Sequence, residues 1–434
     1  MYYEKNVSWI EEIVAQQNEW RSRTVNLIAS ENVLSLRARR VMGSDFAHRY
    51  AEGHPGERYY QGTDKIDEIE IRVKKQLKTL FSCRHLDVRP ISGTVANDAV
   101  FSQFIRPGDM VMVNSTAGGG HISHHKVGSV GKYTRNIIDF PLTPDGYHID
   151  VDKTIDLIRI LHPKVLILGK SLFLFPEPVA QLAEEVKKND GIVIFDAAHV
   201  LGLIAGKHFQ NPLEEGADVV TASTHKTFPG PQRGIAMSNM KEAEWKKIDR
   251  GAFPGSSSNH HLDTLVPLAI TTYEMLDFGE SYAAQTIQNA KALAHALSES
   301  GFDVQAKPFD FTESHQVAVD VTALGRGDEV ARMLKDNSII LNMNLLPFEA
   351  LVNVTNPAGI RIGVQEMTRM GMKEAEMRQI ALFFKRCLKE GHFVGAEVAE
   401  FRSAFQTVHY SFDSAMESAH SNKTIHESAL GGTA

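Results

Sequence analysis

Short β-rich runs recur through the middle of this chain, at Met110–Asn114, Asn136–Phe140, Val165–Gly169, Ile192–Asp196, Val219–Ala222 and Gly234–Ser238. Helical periodicity separates several of them, as at Val179–Lys188. Apolar strands spaced by helices can bury both faces only in a mostly parallel sheet with helices packed on it, so the expected fold class is α/β. A longer helical stretch, roughly 265–299, carries Ala, Leu and Met at helical spacing, ends at Gly301, and is expected to link two units. Beyond it, FDVQAKP and HQVAVDV read as strands and 327–336 and 373–390 as helices, a smaller α+β unit. The first 20 residues read as an amphipathic helical arm, residues 43–64 as a loop, and the closing NKTIHESALGGTA as a frayed tail. The expected division is an arm over 1–45, a large domain over 46–282 and a small C-terminal domain over 283–434.

Composition removes several classes of function. A net charge of -7 argues against a nucleic-acid-binding face, which is normally basic. The two cysteines, Cys83 and Cys387, lie in no metal-ligand spacing and are too few for a disulfide framework; a reducing, cytoplasmic setting fits. The N-terminal segment lacks a basic stretch followed by an apolar one, so no secretory signal is expected. No apolar run is long enough to span a membrane.

Ser223-Thr224-His225-Lys226-Thr227-Phe228-Pro229-Gly230-Pro231 follows a strand directly. A lysine fixed there, among hydroxyl residues and before a Gly/Pro turn, suits an amine that attacks a carbonyl, because desolvation favours its neutral form. Alone, such a lysine is more often a solvated loop residue. Thirty residues earlier, an apolar strand ends in Asp196-Ala197-Ala198-His199. An acid at that end faces the crevice where open α/β sheets bind ligands; in a pyridoxal-phosphate enzyme such an acid would pair with the protonated pyridine nitrogen. A helix N-cap is the equal alternative in isolation. The separation of about one strand-helix-strand unit favours the functional reading. Ser92-Gly93-Thr94 opens a helical run and offers backbone N–H groups and a positive helix end to a phosphate, although Ser and Thr are ordinary caps as well. Gly118-Gly119-Gly120-His121 permits close backbone approach to a ligand, with an imidazole to stack on a flat ring; a flexible turn is the plain alternative. His124 and His125 follow, but without matching carboxylate or cysteine spacing no metal site is expected. Arg361, between Gly359 and Gly363, reads as a strand residue whose planar fork matches a carboxylate, or equally as a structural ion pair.

Together these segments resemble the serine hydroxymethyltransferase family along almost the whole chain. The matching stretches are Asn26-Leu27-Ile28-Ala29-Ser30-Glu31-Asn32, Arg49-Tyr50-Ala51-Glu52-Gly53 with Pro55-Gly56-Glu57-Arg58-Tyr59-Tyr60, the Asp196/His199 strand, Thr224-His225-Lys226-Thr227 and Gly359–Gly363. His-Ile-Ser-His at 121–124 and Phe-Thr-Glu-Ser-His at 311–315 resemble the archaeal-type branch. The resemblance implies the fold-type I architecture of pyridoxal-phosphate transferases and an obligate homodimer with sites at the interface. It implies Lys226 as the lysine that forms a Schiff base with the cofactor, with His225 beside it. Asp196 would bind the pyridine nitrogen, His121 would stack on the ring, and His199 and Ser171 would lie near the ring oxygen. Ser92, Gly93 and Thr94 would hold the phosphate, helped by the Gly255 region of a second subunit. Arg361 and Ser30 would fix the substrate carboxylate. Glu52, with Tyr50 and Tyr60, would come from the second subunit for acid-base work, provided burial raises the Glu52 pKa.

Three positions depart from the family pattern. Thr116 replaces a leucine that contacts the pterin, Phe348 stands where an asparagine binds it, and Lys170 stands where glycine is common. The cofactor and amino-acid residues are thus kept while the one-carbon carrier site is altered. The leading expectation is serine/glycine interconversion with a tetrahydropterin, either tetrahydrofolate or tetrahydromethanopterin. The alternative is a carrier-independent aldolase or threonine transaldolase, since the Glu-Met-Thr-Arg-Met-Gly-Met-Lys run at 366–373 also occurs in such relatives. A non-catalytic binding protein is disfavoured by the intact Lys226, Asp196, Glu52 and Arg361, and aminotransfer is expected only as a side reaction.

Overall fold

The computed structural model describes residues 3–347 and 349–413. Among them, seven strands form one sheet: β1 (His85–Asp87), β2 (Val111–Val113), β3 (Ile137–Asp139), β4 (Val165–Leu168), β5 (Ile192–Asp196), β6 (Val219–Ser223) and β7 (Gly234–Ser238). Their order across the sheet is β1-β7-β6-β5-β4-β2-β3. The neighbours from β3 to β6 pair in parallel, and β7 runs antiparallel to both β6 and β1. The mostly parallel α/β sheet expected from the alternation is present. The edge strand β1 is not foreseeable from periodicity. It has three residues, and Asp87 is drawn inward by an ion pair with Arg89.

The inner strands β2, β4 and β5 are buried almost throughout on both faces, which is why they read as apolar runs. Along β5 the side chains alternate: Val193 and Phe195 join one core and Ile194 another. Each such buried side chain stabilises the fold by about 1.5–3 kcal/mol. Because β4, β5 and β6 run parallel, their carboxyl ends share one edge, where Gly169, Asp196 and Ser223 meet.

Helix α1 (Glu4–Ser22) has no buried residue, and its Trp9, Ile10, Ile13 and Val14 stand exposed. Helix α2 (Asp64–Phe81) turns Ile66, Val73, Leu77 and Phe81 inward. Helix α3 (Gly93–Phe104) starts at the carboxyl edge of the sheet, with Ser92 as N-cap accepting from Val95 N–H at 3.2 Å. Helix α4 (Leu262–Glu299) spans two cores: Leu265, Leu268 and Tyr282 pack with the large sheet, whereas Ala290, Leu293 and Leu297 pack with the C-terminal half.

The C-terminal half holds an antiparallel sheet of β8 (Asp303–Val304), β9 (Gln316–Asp320), β10 (Asn342–Asn344) and β11 (Gly359–Gly363), in the order β8-β9-β11-β10. Helix α5 (Glu374–Leu388) packs along α4 and buries Met377, Ile380 and Phe384. The N-terminal segment is helical only in part: Val25–Asn26 pairs in parallel with Ile339–Ile340, and Val25 and Leu27 join the C-terminal core. The 43–64 stretch is largely irregular, as expected, with one small hairpin, Gly53–His54 against Glu57–Arg58. The tail NKTIHESALGGTA lies outside the described residues. No helix among the described residues is long and apolar enough to cross a membrane.

Candidate active site

A cavity opens at the carboxyl edge of β5 and β6. Gly93, Thr94, His121, Asp196, His199 and Lys226, six of the residues expected from sequence, line it.

Lys226 follows β6 by three residues, and its loop is fixed at several points. Thr224 Oγ1 donates to Pro231 O at 2.6 Å, and the Gly230 N–H donates to Thr224 O at 2.8 Å, closing the turn. Thr227 Oγ1 donates to His199 O at 2.7 Å, tying the lysine loop to the turn after β5. Asn32 Nδ2 donates to the Lys226 carbonyl at 2.6 Å. The Lys226 ammonium itself has no hydrogen bond or ion pair with any described residue. Burial lowers its pKa to about 8, with Asp196 acting in the opposite sense and Arg361 adding to the fall. A free amine of depressed basicity is the state that attacks carbonyls.

Asp196 ends β5, buried. Its Oδ2 accepts from Asn97 Nδ2 at 2.7 Å and lies 3.1 Å from His124 Nε2, while Oδ1 accepts from the Ala198 N–H at 3.0 Å. Burial alone would push this carboxyl up, but the His124 and Asn97 contacts prevail and hold it below the usual carboxylate range. Asp196 is therefore an ionised acid facing the cavity. Asn97 is locked in turn, since its Oδ1 accepts from the Thr221 hydroxyl at 2.5 Å.

A phosphate cradle fits the start of α3. The N-terminal turn carries a helix dipole and free N–H groups. Gly93 lies so close to Ser223 that a Cβ there would be driven into Ser223 Oγ. Only glycine lets the helix end approach the edge of β6. With the free amine and the ionised acid, this cradle makes the cavity chemically suited to pyridoxal 5'-phosphate.

His121 lines the cavity, and its pKa falls to about 4, chiefly through burial. The glycines before it also pack closely within the chain. Gly119 has φ of +95° and packs against Leu172, and a Cβ at Gly120 would collide with the Asn114 carbonyl. Their close approach is to the chain's own backbone, and it lets Ser171 N–H donate to Gly119 O at 2.6 Å. Ser171 is half-buried, and its carbonyl accepts from Arg361 Nη1 at 2.7 Å. Arg361 is buried on β11. Its Nε and Nη2 donate to Asn342 Oδ1 at 3.3 and 3.2 Å, which leaves two of its five N–H groups uncommitted among the described residues. Ser30 is half-buried beside Ala29, against which Gly363 packs. His225 points a buried Nδ1 at no partner among the described residues, and burial beside Lys226 lowers its pKa to about 4.

Four expected residues lie elsewhere in the single chain. Tyr60 OH donates to Glu52 Oε2 at 3.3 Å, and the Tyr50 and Tyr60 rings meet at 5.5 Å, but this cluster is largely exposed and outside the cavity. Gly255 is likewise exposed. Thr116 is half-buried, and Phe348 falls outside the described residues. Lys170 is buried, donating to Tyr147 O at 2.7 Å and pairing with Glu177 at 2.9 Å. Asn97, His124 and Asn32 were not legible as site residues, because their partners are far away in sequence. No group of three or more His, Cys, Asp or Glu among the described residues could hold a metal ion.

The chain is 48% identical over 408 residues to a serine hydroxymethyltransferase of Methanosphaera stadtmanae, covering 94% of this chain and 96% of that one. A serine hydroxymethyltransferase of Thermococcus onnurineus is 49% identical over 417 residues, covering 95% and 97%. Among solved structures, an L-threonine transaldolase from Pseudomonas fluorescens superposes with a TM-score of 0.86 at 29% identity, covering 95% of this chain and 94% of that one. The family model described as serine hydroxymethyltransferase matches residues 4–384. With that match over most of its length, the chain belongs to the serine hydroxymethyltransferase family, the pyridoxal-phosphate enzymes of fold type I that interconvert serine and glycine.

Proposed function

We propose that this protein moves the hydroxymethyl group of serine to a tetrahydropterin, with Lys226, Asp196 and Arg361 at the centre of the machinery. The observation that carries this reading is one cavity holding a free, desolvated amine and a buried acid kept ionised by its neighbours. When bound, pyridoxal 5'-phosphate supplies a sink for the electron pair released as the serine Cα–Cβ bond breaks. Lys226 would hold the cofactor aldehyde, Asp196 its ring nitrogen, and Ser92, Gly93 and Thr94 its phosphate. His121 would cover one face of the ring, with His199 and Ser171 at the ring oxygen. The two uncommitted N–H groups of Arg361 match a bidentate carboxylate, and Ser30 lies on the segment packed against the same strand.

Proton handling needs a carboxyl shielded from water. In the single chain Glu52 is only half-buried, so its role requires a second copy that brings Glu52, Tyr50, Tyr60 and Gly255 to the cavity. A homodimer is proposed on that ground, supported by α1, in which no residue is buried. The arm 1–45, the cofactor unit 46–282 and the C-terminal unit 283–434 are proposed as the working divisions, supported by the change of core along α4. A cytoplasmic setting and a free small-molecule amino acid as partner complete the proposal.

A carrier-independent threonine transaldolase is the second reading. The likeness to the Pseudomonas fluorescens enzyme and the Thr116 and Lys170 departures favour it. Purified protein should be offered serine with tetrahydrofolate, serine with tetrahydromethanopterin, and threonine with a panel of aldehydes. Serine loss that depends on a carrier upholds the first reading. Acetaldehyde release that depends on an aldehyde acceptor, without carrier-dependent serine loss, overturns it in favour of the second.

A further inference from the structure

Gln316 begins β9 with its side chain fully buried. The neighbours fix which way its amide points. Phe173 N–H donates to Oε1 at 2.8 Å, and Nε2 donates to the Ser171 carbonyl at 3.0 Å. Turning the amide over would set N–H against N–H and carbonyl against carbonyl, with both groups buried. Nε2 is therefore the atom that faces His199 Nδ1, at 2.9 Å.

An amide nitrogen only donates, so His199 Nδ1 must accept and carries no proton. Burial, reinforced by the charges of Lys226 and Arg361, holds His199 well below the usual imidazole range, so the ring is neutral. Its single proton then sits on Nε2. His315 Nε2 lies 3.2 Å from the same amide nitrogen, but the nearer Ser171 and His199 acceptors take both hydrogens, and the Ala29 carbonyl lies 3.3 Å from His315 Nε2.

We propose that Gln316 is a positioning residue: it locks His199 in the Nε2–H tautomer, so that the ring presents a donor rather than an acceptor to the cavity it lines. A donor there suits an anionic oxygen on a bound ring, and an acceptor would repel it. That last step rests on the cofactor reading of the cavity, whereas the tautomer does not.

The test is nitrogen NMR of the full-length holoenzyme labelled with ¹⁵N-histidine, with His199 identified by the signals lost in His199→Asn. A pyridine-type shift at Nδ1 and a pyrrole-type shift at Nε2 are expected. The reverse pattern, or a doubly protonated ring, overturns the proposal. Gln316→Glu replaces the donor by a pure acceptor, so it should move the proton to Nδ1 or protonate the ring, and shift the absorbance band of the resting cofactor. Gln316→Leu, the fallback where the charged variant does not fold, should give a mixture of tautomers. Wild-type nitrogen shifts in either variant also overturn it. Should the tautomer be as stated while Lys226 fails to bind the cofactor, the functional reading falls and the role of Gln316 stands.

Discussion

Asn97→Leu probes how the acid at the end of β5 is kept charged. Asn97 is 2% exposed, donates to Asp196 and accepts from Thr221, and leucine fills nearly the same volume without either contact. A hydrogen bond to a charged group contributes about 1.5–3 kcal/mol, and stranding a buried hydroxyl costs about 1–3 kcal/mol more. Asp196 keeps His124 and the Ala198 N–H, so the loss is partial. The expected destabilisation of the cofactor-free protein is about 3–5 kcal/mol, read by urea unfolding with an unchanged slope. Repeating the substitution in a Thr221→Val background removes the stranded hydroxyl, so the cost should fall by about 1–3 kcal/mol. Pyridoxal-phosphate affinity should drop in both backgrounds. A cost under about 1 kcal/mol in both, with unchanged affinity, would show that the network does not hold Asp196 ionised.

Three further outcomes follow from the same geometry. Burial lowers Lys226 from 10.5 to about 8, so the folded protein holds fewer protons than the unfolded chain between those values; stability of the cofactor-free protein should rise with pH across that window, and Lys226→Met should abolish the rise. Burial raises Glu366 from 4.5 to about 7, against the pull of Arg21, so the folded state holds more protons between those values and stability should fall as pH rises through them; Glu366→Gln should flatten that fall, and an unchanged pH profile would contradict it. Gly93→Ala should weaken phosphate binding at the start of α3, read as cofactor affinity, and Ser223→Ala should partly restore it by vacating the space the new Cβ needs; equal affinity in all three proteins would contradict the cradle.

Much of the fold was legible because the inner parallel strands β2, β4 and β5 are apolar on both faces. The site was legible where a functional side chain sits at a strand end, as Asp196 and Lys226 do. His124 was not, because its partner lies 72 residues away and the His-Ile-Ser-His run carries no mark of it. Gln316 read as one more residue of a strand, since only the neighbours brought by the turn after β4 and the turn after β5 give its amide a task. The glycine run at 118–120 also makes close approaches within the chain, to Leu172 and Asn114, which its sequence does not show.

Two lysines line the cavity, and the account depends on which one reacts. The Lys170 ammonium is held by the Glu177 carboxylate and the Tyr147 carbonyl, whereas the Lys226 amine has no such partner among the described residues. Loading the enzyme with pyridoxal 5'-phosphate, reducing it with borohydride and mapping the peptides by mass spectrometry should place the pyridoxyl group on Lys226. Finding it on Lys170, or on no lysine, would contradict the account.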